Sequence, residues 1–388
     1  MRPGTDAIVL GAGAVGLAVA RRLARAGRRV TVLEPELEGG AASRAAAGML
    51  TPQIEATGPD AFFALGRAAR DGYAAFVDDL DAETGVALDF RRDGLLACEP
   101  HVDGETELAR RAEWQRAAGL RVEELEREEV AARWPALELP APLAGAAGGD
   151  GRTFHFPDEA QIDPVRLLRA LLASCRAAGV ELRLGERALG LLRGGDRVAG
   201  VRTARGPVAA DLVVNAAGAW AGIVGGWAGE ALPVEPVRGE MLAYATELTP
   251  PRPIVVSGGA YAVLRTGGRL LVGATVERAG WAARTTPEGE AWLRAGAAAI
   301  LPALAGAAPL ESWAGLRPGT PDDLPILGAS TEVAGLYHAT GHFRNGILLA
   351  PLTAEIVSGE IAGEAWAREA AAPFRPERFV ARPAEAAR

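Results

Sequence analysis

Closely spaced glycines near the N-terminus could bring the backbone up to a nucleotide. The hexapeptide GAGAVG at positions 11 to 16 directly follows the apolar run Ala7 to Leu10. In a GxGxxG motif, the first glycine permits a tight turn, the second lets the backbone approach a pyrophosphate, and the third allows a helix to pack closely on a strand. The residues predicted to contact a nucleotide in this segment are Gly11, Gly13, Ala14, Val15 and Gly16.

An acidic residue follows the glycine motif at the distance that a ribose contact requires. Glu34 ends a second apolar run, Val30 to Leu33. A carboxylate about 20 positions after the motif can accept hydrogen bonds from the ribose hydroxyls of an adenosine. Read alone, the glycines could mark a glycine-rich helix entrance, and Glu34 could be a solvated strand end. The order strand, glycine turn, helix, strand and acid favours a Rossmann-type nucleotide site.

Two later glycine turns favour FAD over a nicotinamide cofactor. They lie in the segments DLVVNAAGAW, at 211 to 220, and TGHFRNGILLAP, at 340 to 351. Small residues in such turns let a chain pass close to a ligand. Three separate backbone approaches suit a long cofactor, whereas a nicotinamide dehydrogenase usually completes its nucleotide site in one continuous stretch.

Composition excludes several classes of function. The chain has a net charge of −8 and no clustered basic run, so nucleic acid is not expected as a partner. It contains no lysine, which excludes a Schiff-base lysine and hence ordinary pyridoxal-phosphate catalysis. The cysteines, Cys98 and Cys175, form neither a disulfide framework nor a metal site, and fit a reducing, cytoplasmic setting. No apolar stretch is long enough to cross a membrane, and no metal is expected.

The hydrophobic pattern predicts an α/β fold with two domains. A Rossmann-type FAD-binding domain is expected over 1–85, 151–232 and 315–388, and a second, α+β substrate domain built on an antiparallel sheet over 86–150 and 233–314. Helices are predicted at 61–84, 105–118, 164–178 and 287–300. Strands at 180–184, 198–203 and 212–215 are expected to return the chain to the nucleotide sheet, and those at 241–244, 254–256, 260–264 and 270–273 to form the antiparallel sheet. Residues 137–150 are predicted to be a loop.

Taken together, the chain resembles the FAD-dependent D-amino-acid oxidase superfamily, and within it the glycine oxidases of thiamine biosynthesis. The resemblance spans nearly the whole length and is most specific in four segments. These are SRAAAGML at 43–50, PVRGEML at 236–242, WAGLRPGTPDDLPILG at 313–328 and TGHFRNGILLAP at 340–351.

The resemblance implies further contacts to FAD and a substrate site. The implied cofactor contacts are Ser43, Arg44, Ala47, Gly48, Met49, Ala216, Gly218, Trp220, His342, Phe343, Arg344, Asn345, Gly346 and Ile347. It places Tyr261, Arg317 and Arg344 around a substrate carboxylate, which an arginine can grip with two parallel hydrogen bonds. Without this context, the arginines would be read as surface or helix-start residues and Tyr261 as a core aromatic.

The implied reaction is the oxidation of glycine, or another small amine, by hydride transfer to the flavin. The imine product would be hydrolysed to glyoxylate and ammonia or would feed thiazole synthesis for thiamine, and oxygen would become hydrogen peroxide. No protein base is required. The covalent cysteine of sarcosine-oxidase-like relatives is absent from 315–322, so FAD is expected to bind noncovalently. A homo-oligomer such as a tetramer is expected.

The sequence leaves two alternatives open. One is an oxidase or dehydrogenase of the same superfamily that acts on a D-amino acid, sarcosine or proline. The other is a nonenzymatic flavin-binding module. Pocket volume separates the substrates, with small amines favoured if Val276 and Tyr261 crowd the α-carbon.

Overall fold

The computed structural model describes residues 5–39, 41–99, 106–135, 152–247 and 252–380. The predicted loop at 137–150 lies outside these residues. The strands, in chain order, are β1 (Ala7–Leu10), β2 (Val30–Glu34), β3 (Met49–Leu50), β4 (Leu95–Glu99), β5 (Glu123–Leu125), β6 (Arg152–Phe156), β7 (Ala160–Gln161), β8 (Glu181–Leu184), β9 (Ala188–Gly194), β10 (Arg197–Thr203), β11 (Gly206–Ala209), β12 (Leu212–Asn215), β13 (Glu235–Ala245), β14 (Ile254–Ser257), β15 (Ala260–Arg265), β16 (Arg269–Gly273), β17 (Glu311–Gly319), β18 (Ile326–Ala329) and β19 (Leu336–Thr340). The α-helices are α1 (Ala14–Arg25), α2 (Ala41–Ala45), α3 (Pro52–Glu55), α4 (Ala61–Thr84), α5 (Glu107–Ala117), α6 (Arg127–Arg133), α7 (Pro164–Ala177), α8 (Ala221–Ala228), α9 (Pro287–Ile300), α10 (Gly346–Ala362) and α11 (Ala365–Ala371).

A largely parallel sheet carries the glycine motif. Its strand order is β18-β19-β12-β1-β2-β8, and its ladders are parallel except for the β18–β19 pair. Strands β1 and β2 are buried along their whole length, as expected for apolar strands covered on both faces. Helices α1, α7 and α10 contribute to the core that covers this sheet. The predicted Rossmann-type α/β arrangement is confirmed.

A larger sheet forms the second layer of strands. Its order is β17-β13-β16-β15-β14-β4-β6-β5, and its ladders are antiparallel except for the parallel pair β4–β14. Helix α9 packs against it through Leu293, Ala297 and Ile300. The strands predicted for this sheet are present, and the parallel pair arises because β4, from far earlier in the chain, joins at the edge of β14.

One expected strand belongs elsewhere. The predicted strand at 198–203 does not return to the nucleotide sheet, because β10 pairs with β9 and β11 in a separate antiparallel sheet. The reason is local: short turns connect β9 to β10 and β10 to β11, and Gly195 in the first has φ +70°. Successive strands joined by such turns form hairpins.

The predicted helices are found, and their ends follow the capping residues. Helix α4 begins after Asp60, whose side chain accepts the Phe63 N–H, and ends at Gly85 with φ +64°. Asp163 and Thr286 cap α7 and α9 in the same way, each followed by proline. A polar side chain at the N-cap satisfies amide groups that the helix itself leaves unpaired.

The division of the chain into two domains stays a prediction. Strands β6 and β17 pair into the larger sheet, although the predicted boundaries assign residues 151–232 and 315–388 to the nucleotide domain. A division that follows strand pairing would therefore transfer β6 and residues 315–319 of β17. Among the residues that the structure describes, no helix is both long and apolar enough to span a bilayer.

Candidate cofactor and substrate site

Two adjoining cavities lie where the nucleotide sheet meets the larger sheet. The smaller, of about 220 Å³, follows the ends of β1, β2 and β12 and the start of α1. The larger, of about 720 Å³, extends toward β13, β15 and β17. Ala42, Ser43 and Gly346 line both cavities, so the two adjoin at these residues. In open α/β sheets, ligands bind in the crevice at the carboxyl ends of the strands.

The glycine motif shapes the floor of the smaller cavity. Gly11 has φ +107°, and a Cβ built on it would collide with the carbonyl of Ala216. A Cβ on Gly16 would collide with the carbonyl of Gly11. Helix α1 then begins at Ala14, whose N–H donates to Ser43 Oγ at 3.1 Å. The first turn of this helix therefore faces the cavity with its positive dipole end, as an anion site requires.

Glu34 lies in the same cavity and is held by backbone amides. Its Oε2 accepts the Ala12 N–H at 2.7 Å, and its Oε1 accepts the Glu36 N–H at 3.0 Å. Burial raises the pKa of this carboxyl above its usual range, while the two amide bonds oppose the shift. The acid thus supports the glycine turn and borders the space where a ribose would lie.

The later glycine turn and the C-terminal turn close the smaller cavity. Ala216, Gly218, Trp220 and His342 line it. Trp220 is 39% exposed and stacks on Trp281, with ring centroids 5.3 Å apart. His342 is buried, its Nε2 lies 3.0 Å from Thr353 Oγ1, and burial lowers its pKa to about 3. The imidazole is therefore neutral at ordinary pH and acts as a packing and hydrogen-bonding group.

These features fit the adenosine and pyrophosphate portion of FAD. The collisions at Gly11 and Gly16 show that the turn depends on missing side chains, and α1 offers amides where phosphates would lie. The larger cavity adjoins this one at Ser43 and has room for the remainder of a dinucleotide.

The start of α10 and the segment before β3 face each other across the larger cavity. Ala47, Gly48 and Met49 line one part of it, and Phe343, Arg344, Asn345, Gly346 and Ile347 line another. Phe343 has φ +46°, an uncommon conformation for a residue with a side chain. Asn345 is the N-cap of α10 and makes no side-chain cap, and the first residues of the helix line the cavity, so the positive end of the helix dipole borders it.

Arg317 and Tyr261 come together in the larger cavity. The Nη1 atom of Arg317 donates to the carbonyl of Thr275 at 3.0 Å. Burial lowers the pKa of Arg317. The electrostatic effect of the neighbouring Tyr261 is the next largest, and it opposes this shift. The hydroxyl of Tyr261 donates to Met241 Sδ at 3.3 Å. The structure therefore places these two predicted substrate residues side by side.

Arg344 reaches the same cavity but is already paired. Its Nη2 lies 2.5 Å from Glu55 Oε2. Both Arg344 and Glu55 act on the pKa of Arg317 and of Tyr261, so the four groups converge. The sequence did not indicate that Glu55 is the carboxylate partner of Arg344. Glu55 lies only a few positions after the segment SRAAAGML.

Other residues depart from the expectations or add to them. Arg44 lines neither cavity, because its guanidinium pairs with Glu38 at 2.6 Å. Its predicted contact with FAD has no support in this geometry.

The larger cavity has two further lining residues, Met241 and Arg111, that the sequence did not predict. Val276 and Tyr261 both line this cavity, and Val276 is 54% exposed. That the two crowd the α-carbon of a substrate stays a prediction.

Comparison with known proteins identifies the family. Residues 6–359 match the model of the FAD dependent oxidoreductase family, and the chain belongs to that family. It is therefore an FAD-dependent oxidoreductase.

The chain is similar to glycine oxidases and to a bifunctional protein ThiO/ThiG. It is 37% identical to the glycine oxidase of Pseudomonas aeruginosa over 359 residues, covering 92% of this chain and 94% of that protein. It is 36% identical to the bifunctional protein ThiO/ThiG of Trichormus variabilis, but spans only 52% of that longer protein. The crystal structure of glycine oxidase from Geobacillus kaustophilus superposes with a TM-score of 0.88 at 30% identity, covering 97% of this chain and 99% of that one.

Proposed function

We propose that the protein oxidises glycine and other small amines that carry a carboxylate, with FAD as its cofactor. The observation that carries this proposal is the position of Arg317. Its guanidinium lies beside Tyr261 in a cavity that adjoins the nucleotide crevice. Similarity to glycine oxidases along most of the chain supports glycine as the substrate.

The binding step follows from the chemistry of these side chains. Arg317 offers a planar fork of donors that matches both oxygens of a carboxylate. Its bond to the carbonyl of Thr275 fixes the orientation of the fork. Tyr261 can add a hydrogen bond from its hydroxyl, because its present acceptor is a thioether, which accepts weakly. Holding the carboxylate in this way fixes the direction of the α-carbon.

When bound, FAD supplies the two-electron acceptor for the C–H bond of the substrate. The N-terminus of α10 can stabilise negative charge that develops next to it. The proposed products are glyoxylate and ammonia, formed by hydrolysis of the imine, and hydrogen peroxide, formed from oxygen. The imine could instead enter thiazole synthesis for thiamine, a role supported by the similarity to ThiO/ThiG.

FAD is proposed to bind noncovalently. Cys98 lines the larger cavity, but burial raises the pKa of its thiol to about 11, so it remains protonated and poorly nucleophilic at neutral pH. We further propose a cytoplasmic homo-oligomer such as a tetramer. The two buried free cysteines, Cys98 and Cys175, fit a reducing compartment.

An anaerobic absorbance titration tests the proposed function. Purified protein loaded with FAD should be yellow and should lose its flavin absorbance when glycine is added, then regain it when oxygen is admitted. Steady-state kcat/KM for glycine, sarcosine, D-alanine and D-proline would rank the substrates. A flavin that none of these amines bleaches would refute the proposal and favour a nonenzymatic flavin-binding module.

A further inference from the structure

Three arginines line the larger cavity, and they differ in their pairing. Arg111 lies 2.7 Å from Glu107, and Arg344 lies 2.5 Å from Glu55. Arg317 has no carboxylate within 4.0 Å among the residues that the structure describes, and its Nη1 donates to the backbone carbonyl of Thr275. One guanidinium of the three is therefore available for an anionic ligand.

The remaining charge in the cavity is acidic. Glu99 also lines it, and its Oε1 accepts a hydrogen bond from Thr106 Oγ1 at 2.5 Å. A hydroxyl donor satisfies part of this carboxylate without cancelling its charge. The second carboxylate of a dicarboxylate ligand would therefore face Glu99 and Glu55. It would find no unpaired arginine, because Arg317 already binds the first carboxylate. Placing an unpaired charge in such a partly desolvated site is unfavourable.

Glu55 is held in position by the helix that carries it. Glu55 is the last residue of α3. Gln53, two residues earlier in the same helix, is completely buried. The Gln53 N–H donates to Glu159 Oε1 at 2.6 Å, and Gln53 Oε1 accepts from Arg70 Nη1 at 2.7 Å. Its amide group also donates to Gln115 Oε1 at 2.9 Å. These buried bonds anchor α3, so the pairing of Glu55 does not depend on a loose surface segment.

The two partners differ in their exposure to solvent. The Arg344 side chain is 47% exposed, whereas that of Glu55 is 19% exposed. Arg344 is therefore the partner that can turn toward another anion once the Glu55 charge is removed. Because Glu55 also acts on the pKa of Arg317 and of Tyr261, its charge is felt where the substrate carboxylate would bind.

We propose that Glu55 restricts the site to amines that carry a single carboxylate, by occupying Arg344 and leaving Arg317 as the anion-binding group. This inference rests on the proposed function and adds a residue that determines specificity. Glu55 acts through Arg344 and is not a catalytic residue. Removing its charge should convert Arg344 into a second carboxylate site.

The test compares ligands that differ by one carboxylate in the FAD-loaded enzyme and its Glu55→Gln variant. Binding of acetate and malonate is followed anaerobically through the change in the flavin absorbance spectrum, which needs no turnover. In Glu55→Gln, the Kd for malonate should fall about tenfold or more, as a new charge-assisted bond implies, and that for acetate should fall much less. The ratio of kcat/KM for iminodiacetate to that for sarcosine should rise in the same direction.

Two further variants separate this mechanism from a general loosening of the site. In Glu55→Gln combined with Arg344→Gln, the gain for malonate should disappear, whereas a loosened pocket would keep it. The single variant Arg344→Gln leaves the Glu55 charge without its partner, so it should weaken malonate, whose second carboxylate that charge repels, more than acetate. It gives an independent test on an exposed side chain if Glu55→Gln fails to fold. An unchanged malonate-to-acetate ratio in both single variants would overturn the proposal. If acetate does not perturb the flavin of the unaltered enzyme and glycine does not bleach it, the proposed function itself fails instead.

Discussion

Gly239 leaves open the space that the guanidinium of Arg317 occupies. A Cβ built on Gly239 would overlap the terminal atoms of the Arg317 side chain. The two residues lie on neighbouring strands, since Val237 of β13 pairs with Arg317 of β17 and Gly239 is two residues further along. Diagonal neighbours on one face of a sheet are within reach of a long side chain. The position of the arginine therefore depends on a missing side chain in the PVRGEML segment.

Replacing Gly239 with alanine should displace this guanidinium without removing it. The KM for glycine should rise about tenfold or more, while FAD remains bound, because one charge-assisted interaction is misaligned. Gly72→Ala is a matched control, since Gly72 is exposed in α4 and a Cβ there meets no atom within 4 Å. Steady-state kinetics of both variants would check this, and equal KM values would contradict the packing argument.

Removing the guanidinium itself should have a larger effect on substrate binding. In Arg317→Ala, the KM for glycine should rise by roughly 10- to 100-fold, the range expected for the loss of a hydrogen bond to a charged group. The absorbance spectrum and FAD content should be retained, because Arg317 lines only the larger cavity. Arg317→Lys should restore little, since an ammonium cannot form the two parallel bonds of the fork. An unchanged KM in Arg317→Ala would remove this residue from the carboxylate site.

Local sequence signals predicted the elements well because their causes are local. Asp60 and Gly85 mark the two ends of α4, and an Asp-Pro or Thr-Pro pair starts α7 and α9. The glycine turn at 11–16 was predictable for the same reason, as its geometry depends on the missing side chains of neighbouring residues.

Long-range pairing was not predictable from these signals. Nothing near β4 indicates that it pairs in parallel with β14, far along the chain. Similarly, the resemblance placed Arg344 at a substrate carboxylate, whereas the structure pairs it with Glu55, 289 positions away. The departure of β10 from the nucleotide sheet did have a local signal, the Gly194-Gly195-Asp196 turn.

Loss of the Glu34 carboxylate should weaken the cofactor and leave the substrate preference unchanged. In Glu34→Ala, the buried Ala12 N–H loses its acceptor, and an unsatisfied buried donor costs roughly 1–3 kcal/mol. The Kd for FAD, measured by fluorescence titration of the apoprotein, should therefore rise by about tenfold or more. Glu34→Gln keeps a carbonyl acceptor for Ala12 and should cause a smaller loss. If Glu34→Ala binds FAD as tightly as the unaltered protein, the acid does not support the nucleotide turn.

Burial of His342 should make the protein sensitive to mild acid. Burial lowers the pKa of this imidazole to about 3 in the folded protein, from an ordinary value near 6.5. Between these values, the unfolded chain binds a proton that the folded chain does not. Stability that is present above about pH 6.5 is consequently lost as the pH falls toward 3.

This acid sensitivity should disappear with the imidazole. The unfolding free energy of the unaltered protein minus that of His342→Gln, measured by urea denaturation, should fall by about 1 kcal/mol between about pH 7 and about pH 5.5. Thr353→Val removes the hydrogen-bond partner at 3.0 Å but keeps the buried ring, so its difference from the unaltered protein should stay nearly constant. A difference for His342→Gln that does not change with pH would mean that the histidine becomes protonated in the folded state. The group beside the start of α10 would then be a cation, and it would add its charge to the positive end of the helix dipole.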